Sequence, residues 1–288
     1  MEPCLTRTNY SEMEDDNMNT LRKLADKHAL LFWILCVLFY IVGYKAVTLG
    51  LLGKTPYQYD VAFFKLSLAL LAILMMKRLY HGQFCFYFRT KNLLKGLLLL
   101  WPGYMFLLSN LLGTHTGGRG VVPETLIMVV VANMITGFYE EVLMRGMLLG
   151  HMMEHWRNDK HKILKSVLTT SILFGLVHLG NLATAPVGPT LFQVFYATLF
   201  GLIFAAAFLR TKNLWACILL HGLVDVSGDL YTVFYLPGEE ITDFMSSNIP
   251  VMLLSLLLCI IVVPFEMRKK KRAEILAMWN EETTCPVA

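Results

Sequence analysis

Charged residues are scarce in this chain. Asp, Glu, Lys and Arg make up 16% of its 288 residues, hydrophobic residues make up 56%, and the mean hydropathy is +0.55. Soluble domains carry about 25% charged residues. A water-soluble globule of this length cannot bury so much apolar surface in one core, so an ordinary soluble enzyme and a disordered chain are both excluded. The net charge of +4 gives no indication of a nucleic-acid partner.

Several familiar patterns are also missing. The six cysteines form no CxxC pair and no regular spacing, which excludes a disulfide scaffold and a cysteine-based zinc module. There is no HExxH motif. No internal repeat is visible, and this counts against an inverted-repeat transporter. The N-terminal segment lacks a short basic region and a small-residue cleavage site, so we expect no cleaved signal peptide.

Long apolar runs are what the sequence has instead. A membrane-spanning helix needs about 20 apolar residues. The chain therefore predicts an all-α polytopic membrane protein: an N-terminal segment 1–28, an eight-span membrane domain 29–267 and a basic C-terminal tail 268–288. The eight predicted spans are 29–51, 60–76, 93–112, 124–154, 163–182, 190–209, 214–235 and 249–267.

Lysine and arginine predict the orientation of these spans. Nineteen of the 25 basic residues fall on the two termini and the connections after even-numbered spans, and two fall on the odd-numbered connections. Cytoplasmic segments carry the excess of Lys and Arg. Both termini are therefore predicted to be cytoplasmic, in a multi-pass protein of the cell membrane. Lys45, Lys65 and Lys95 lie in or beside spans, where we expect them to snorkel or to pair inside the bundle.

Other ionisable residues lie deep in three predicted spans, where each one costs at least about 2.5–3.5 kcal/mol and calls for a reason. Each group also has a purely structural explanation, as an ion pair or a hydrogen-bonded core histidine. The groups are Glu140, Glu141 and Arg145; His178, preceded by Phe174; and His221 with Asp225.

The depth of these residues favours a shared site. Glu140 lies about 15 residues before the end of span four, and His178 lies about 15 residues after the start of span five. At 1.5 Å per residue, both are about 22 Å from the predicted cytoplasmic helix ends. His221 and Asp225 fall in a similar layer of span seven. We therefore predict that these three helices bring their polar residues together.

The two adjacent glutamates cannot have the same role, because neighbours on a helix point about 100° apart. Glu141 has Arg145 one turn later, which predicts a structural ion pair. Glu140 has no such local cation and is free for chemistry. A carboxylate beside histidines can activate water, and a His–Asp pair can stabilise an oxyanion or bind a divalent metal.

The order of the motifs EExxxR, FxxxH and HxxxD on successive predicted spans resembles the CPBP family, which contains CAAX proteases and bacteriocin-processing or self-immunity proteins. The resemblance covers about residues 120–230, the predicted catalytic core. It implies an eight-helix intramembrane endopeptidase with a site open to the cytosol. It also implies that Glu140 and His178 activate water, while His221 and Asp225 stabilise the oxyanion.

The role of Asp225 stays open at this stage. The last position of the third motif takes Asn or Asp in the family, and an ionised carboxylate is a poor oxyanion donor. Asp225 would be a better metal ligand or a residue that orients His221. Glu140, His178, His221 and Asp225 could together hold zinc or another divalent metal.

The substrate expected from the resemblance is a peptide or a membrane-anchored protein tail in the lipid bilayer, as in CAAX-type processing or in peptide pheromone or bacteriocin maturation. An alternative is a non-catalytic immunity or regulatory protein that binds a membrane partner, and a proton-coupled transporter is a third interpretation. The sequence does not indicate the oligomeric state.

Overall fold

Apolar helices account for most of the described chain. The structure, a computed structural model, describes residue 23 and residues 27–52, 59–79, 87–114, 118–235 and 248–281. The helices in these ranges are α1 (Ala29–Gly50), α2 (Tyr59–Leu79), α3 (Leu93–Leu99), α4 (Trp101–Gly113), α5 (Pro123–His155), α6 (Lys162–Ala183), α7 (Val187–Thr211), α8 (Leu214–Phe234), α9 (Ile249–Glu266) and α10 (Lys269–Glu281). The described ranges contain no β-strand, which confirms the all-α class.

Helices α1, α2 and α5–α9 are each long and apolar enough to cross a membrane. The remaining predicted span corresponds to α3 and α4, which meet the same test as a pair but bend by 65° at Leu100. Pro102 lies in the first turn of α4, and a proline there removes a backbone donor and ends the preceding helix. The polytopic helical architecture is therefore confirmed, with up to eight spans.

The connections of the described chain alternate between two ends of the bundle. At one end, Asn213 donates from Nδ2 to the backbone oxygens of Arg89 and Lys91, at 2.7 and 3.0 Å. At the other end, the backbone N–H of Val122 donates to the carbonyl of Val233 at 2.7 Å. We call the first end the basic end. It comprises residues 87–92, 156–162, 210–213 and 266–272, which contain 12 of the 22 Lys and Arg residues in the described ranges.

Two pairs of helices pack at backbone distance. This helix packs along α8, and α6 packs along α7. At Gly137, a Cβ atom would lie 2.7 Å from the backbone nitrogen of Gly222; at Gly201, it would lie 2.8 Å from Cα of Ser171. Small residues of this kind let membrane helices approach at backbone distance. The carboxylates of α5 are thereby brought against the side chains of α8.

The predicted C-terminal tail contains a docked helix. Helix α10 packs back on the bundle, where Trp279 donates from Nε1 to the carbonyl of Leu209 at 2.9 Å and Ile275 is buried. The ring of Trp279 also lies against Phe208. Cys285, in a C-terminal sequence that superficially resembles a prenylation box, lies outside the described residues.

Candidate active site

Glu141 joins two helices through one carboxylate oxygen. Its side chain is completely buried, and Oε1 accepts from Arg145 Nη1 at 2.7 Å on the same helix. The same oxygen lies 2.7 Å from Nδ1 of His221 on α8. The sequence predicts the contact with Arg145 from its spacing. The contact with His221 joins residues 80 positions apart and has no local signal.

Arg145 is enclosed by aromatic rings. Its guanidinium carbon lies 4.4 Å from the centre of the Phe174 ring and 5.0 Å from that of Phe204. A desolvated cation over aromatic faces gains electrostatic attraction in addition to its ion pair. The buried Glu141–Arg145 pair therefore has both a carboxylate and two ring faces to stabilise its cation. Phe204 has no motif of its own, and sequence reasoning missed it.

His221 has its two ring nitrogens in different surroundings. Because a carboxylate can only accept, Nδ1 carries a hydrogen and donates it to Glu141. The other nitrogen, Nε2, faces Oε2 of Glu140 at 3.7 Å and Oδ2 of Asp225 at 3.5 Å. The imidazole is stacked on Phe204, with the ring planes 18° apart. These contacts fix the orientation of the ring and direct Nε2 at two carboxylates.

His178 is held by its own helix. Its Nδ1 lies 3.0 Å from the carbonyl oxygen of Phe174, one turn earlier. Since a carbonyl accepts only, Nδ1 is the donor and Nε2 is left with a lone pair in the neutral ring. The Phe174 ring makes edge contacts with both histidines, at 5.3 Å to His178 and 5.8 Å to His221. The two imidazoles therefore flank one aromatic ring.

The structure brings Glu140, His221 and Asp225 together, with His178 beyond Phe174. The first three side chains are 12%, 10% and 29% exposed, whereas the Glu141 side chain is fully buried. The candidate site thus has a reachable layer of two carboxylates and one imidazole. Glu141 and Arg145 form a sealed layer behind it. This layering follows the predicted separation of the two adjacent glutamates.

The four residues named as possible metal ligands do not form a ligand cluster. In the described ranges, no three His, Cys, Asp or Glu side chains come close enough together to hold a metal ion. The arrangement therefore does not fit a four-ligand zinc site, and we derive no chemical step from a metal.

Two lysines, one on α1 and one on α2, make hydrogen bonds to other helices. Lys45 donates from Nζ to Oδ1 of Asn181, and Lys65 donates to Oγ1 of Thr136, both at 2.8 Å. Lys45 also lies within electrostatic range of Glu140. Lys95 donates to the carbonyl of Arg210 at the basic end. Lys45 and Lys65 therefore pair inside the bundle, whereas Lys95 is exposed at the basic end.

A second buried histidine ties α1 to α5. Trp33 donates from Nε1 to Nδ1 of His151 at 2.8 Å, and both side chains are buried. Sequence reasoning gave no role to either residue, because an isolated Trp and an isolated His in apolar helices carry no spacing signal. Their hydrogen bond fixes the peripheral helix α1 against the helix that carries both glutamates.

The comparisons with known proteins agree with this geometry. Residues 122–227 match the family model of the type II CAAX prenyl endopeptidase Rce1-like proteins. This match is to a family of CAAX proteases, the class that the resemblance names. The matched segment contains every residue of the three motifs and runs from the start of α5 into α8. The resemblance predicted from the sequence is thus confirmed.

A curated relative covers a similar stretch. The CAAX prenyl protease 2 of Saccharomyces cerevisiae is 32% identical to this chain over 100 residues, which are 31% of this chain and 32% of the relative. The chain therefore matches about a third of the length of that relative. No solved structure matches the chain significantly.

Proposed function

We propose that this protein is an intramembrane endopeptidase that hydrolyses a peptide bond in a membrane-associated peptide or protein tail. The observation that supports this most directly is the accessible group of Glu140, His221 and Asp225. It lies inside an apolar helix bundle, in the segment that matches a CAAX endopeptidase family. Carboxylates and imidazoles that converge in a membrane bundle mark functional sites.

In the proposed reaction, Glu140 acts as the general base. The 3.7 Å between Glu140 and His221 Nε2 is too long for a direct hydrogen bond, but it allows both groups to bind one water molecule. Glu140 accepts a proton while the water oxygen bonds to the carbonyl carbon of the substrate. We assign Nε2 of His178 to this step as a second proton acceptor, because Nδ1 of the same ring is hydrogen-bonded to the Phe174 carbonyl.

His221 is proposed to stabilise the resulting oxyanion. When its ring is protonated, Nε2 can donate to the developing charge while Nδ1 stays bonded to Glu141. Glu141 is then a positioning residue that fixes the ring. Asp225, on the more exposed side of the ring, adjusts the charge at Nε2. The tetrahedral intermediate collapses when the C–N bond breaks and Glu140 returns the proton to the leaving amine.

The proposed substrate is a membrane-anchored tail, such as a lipidated C-terminus, a peptide pheromone or a bacteriocin precursor. A site within membrane-spanning helices is reached most readily by a segment that the bilayer already holds. The basic end is proposed to face the cytoplasm of the cell, because cytoplasmic connections carry the excess of Lys and Arg.

The test is hydrolysis by purified protein in liposomes. A peptide with a prenylated cysteine near its C-terminus, its unlipidated version, and peptides encoded beside the gene are incubated with protein, and the products are identified by mass spectrometry. We expect the wild-type protein to cleave the peptide at a single bond. The Glu140→Gln variant should cleave it at least 100-fold more slowly, because it has lost the general base. Glu124 is an exposed residue in the first turn of α5, so Glu124→Gln is the matched control. The Glu124→Gln protein should cleave the substrate as wild type does.

The alternative of a non-catalytic binding protein gives a different result. Binding alone tolerates the nearly isosteric Glu140→Gln change, and no peptide is cleaved by either protein. Equal cleavage by wild type and Glu140→Gln would show that the activity comes from elsewhere.

A further inference from the structure

An open cavity of about 710 Å³ lies at the basic end, and it shares no residue with the candidate active site. It lies between the connection from α5 to α6, the first turn of α6 and one side of α10. Its size is typical of small-molecule sites. Its lining residues are Arg157, Asn158, Asp159, Lys160, His161, Lys162, Ile163, Leu164, Lys269, Arg272, Ala273 and Leu276.

The lining of this cavity is strongly cationic. Five of its residues are Lys or Arg, and Asp159 is its one carboxylate. The carboxylate of Asp159 already has partners, because it accepts hydrogen bonds from Lys165 Nζ and from the backbone N–H of His161. Those hydrogen bonds, that from Lys165 first, lower the pKa of Asp159. The carboxylate therefore does not neutralise the remaining cations.

Lys162 is the most informative cation of this set. Lys162 is 9% exposed as a whole residue. In the described part of the chain, its ammonium makes no hydrogen bond or ion pair. The same absence of described partners holds for Lys160, Lys269 and Arg272. The Nζ atom of Lys162 is not among the fully buried polar atoms that lack a partner, so its stem is buried while the ammonium keeps access to the cavity that it lines. A cavity lined by cations without described partners favours an anion.

The helix geometry directs these charges to one place. Lys269, Arg272, Ala273 and Leu276 follow the i, i+3, i+4, i+7 spacing of one helical stripe. Lys162 and Lys269 begin α6 and α10, and helix N-termini favour anions. The neighbouring Lys270 and Lys271 belong to the same basic run but do not line the cavity.

The apolar part of the lining identifies the kind of anion. Lys162 is the first residue of a candidate membrane span, and Leu164, in its first turn, is 48% exposed. The cavity therefore lies at the level where the apolar helices end, with cations on one side and an exposed leucine on the other. An anion that carries acyl chains can contact both the cations and the leucine, whereas free phosphate can contact the cations alone.

We infer that this cavity binds the phosphate headgroup of an anionic phospholipid, held by Lys162, Lys269 and Arg272 with its acyl chains along α6. Basic pockets at the ends of membrane helices bind such headgroups. The site is independent of the proposed peptidase reaction, because no residue of the candidate active site contributes to it.

The experiment is a lipid titration of purified full-length protein in neutral detergent, followed by native mass spectrometry and thermal unfolding. Phosphatidylglycerol is compared with phosphatidylcholine and with inorganic phosphate. We expect phosphatidylglycerol alone to bind and raise Tm. Since each Lys or Arg near a membrane surface contributes about 1 kcal/mol, about fivefold in affinity, Lys269→Gln/Arg272→Gln should bind this lipid about 25-fold more weakly. Lys270→Gln/Lys271→Gln, with the same net charge, should bind it like wild type.

Lys162→Met removes the Lys162 ammonium and keeps the apolar stem. It should weaken lipid binding at least fivefold, and its Tm in lipid-free detergent should match or exceed that of wild type, because an unpaired charge is removed. Equal weakening by the two double variants would overturn the proposal in favour of diffuse surface attraction. Equal binding of phosphatidylcholine, or stabilisation by inorganic phosphate as large as that by lipid, would also overturn it.

Discussion

Two adjacent glutamates on α5 have opposite environments. Glu141 is sealed and shares one oxygen between Arg145 and His221, whereas Glu140 is partly exposed and lies 3.7 Å from His221 Nε2. The difference follows from the 100° between neighbouring residues of a helix. One residue is therefore fixed in the interior by two hydrogen bonds, and the other stays partly exposed beside His221.

The first prediction separates these roles by stability. Glu141→Ala removes the partner of Arg145 and of His221 together, and breaking a buried pair costs on the order of 3–5 kcal/mol. We expect a clear fall in Tm in detergent and a loss of activity. Glu140→Ala should abolish cleavage at an unchanged Tm. Similar Tm values for the two variants would mean that Glu141 has no structural role.

The second prediction concerns Asp225. In the metal-free mechanism proposed above, Asp225→Asn supplies an amide donor near the oxyanion, so activity should stay within about threefold of wild type. His178→Ala and His221→Ala should each remove nearly all turnover. Chelators should leave the wild type active. Stoichiometric zinc in active protein, lost together with activity on chelation, is the contrary result.

Residue spacing predicts some of these contacts and not others. The Glu141–Arg145 pair lies within one helical turn, and so does the hydrogen bond from His178 to the Phe174 carbonyl. The contact between Glu141 and His221 depends on how α5 meets α8, and Phe204 reaches the site from α7. Those positions follow from helix packing, which no local pattern encodes.

At the scale of elements, the α5–α8 contact determines the depth of the site. Gly137 lies one turn before Glu140 and abuts the backbone of Gly222 on α8. Gly222 in turn follows His221 directly. The glycine pair therefore sets the distance between the glutamates of one helix and the histidine of the other.

The third prediction tests this contact. In Gly137→Ala, the new Cβ would lie 2.7 Å from a backbone nitrogen, which cannot move aside as a side chain can. Overpacking of this kind costs about 1–3 kcal/mol, and it should separate Glu140 from His221. We expect a lower Tm and lower activity. Gly150→Ala on the same helix, where the nearest atom is the Tyr87 hydroxyl at 3.4 Å, should change both much less.

The elements themselves were largely predictable. Apolar runs and charge positions locate the spans to within about three residues, since span length is limited by the bilayer. The docking of α10 was not predictable in the same way. Its sequence begins KKKR and is polar, as in a free tail, but Ile275 and Trp279 bind it to the bundle.

In the whole molecule, the positions of the basic residues and the arrangement of the connections define the same two ends. The connections that contain most Lys and Arg residues contact one another through Asn213 and α10 at the basic end. At the other end, the backbone N–H of Val122 donates to the carbonyl of Val233, and that of Asn248 donates to the carbonyl of Ser109. Such alternation is what spans crossing in opposite directions require.

The last prediction assigns these ends to sides of the membrane. Because the basic end carries the excess of Lys and Arg, it should be cytoplasmic. In a background without native cysteines, Gly120→Cys and Asn158→Cys place exposed thiols at opposite ends. A membrane-impermeant maleimide added to intact cells should label position 120 at once and position 158 only after permeabilisation. The reverse pattern would invert the orientation and place the proposed lipid site in the outer leaflet. Labelling of both positions from outside would contradict the alternating spans themselves.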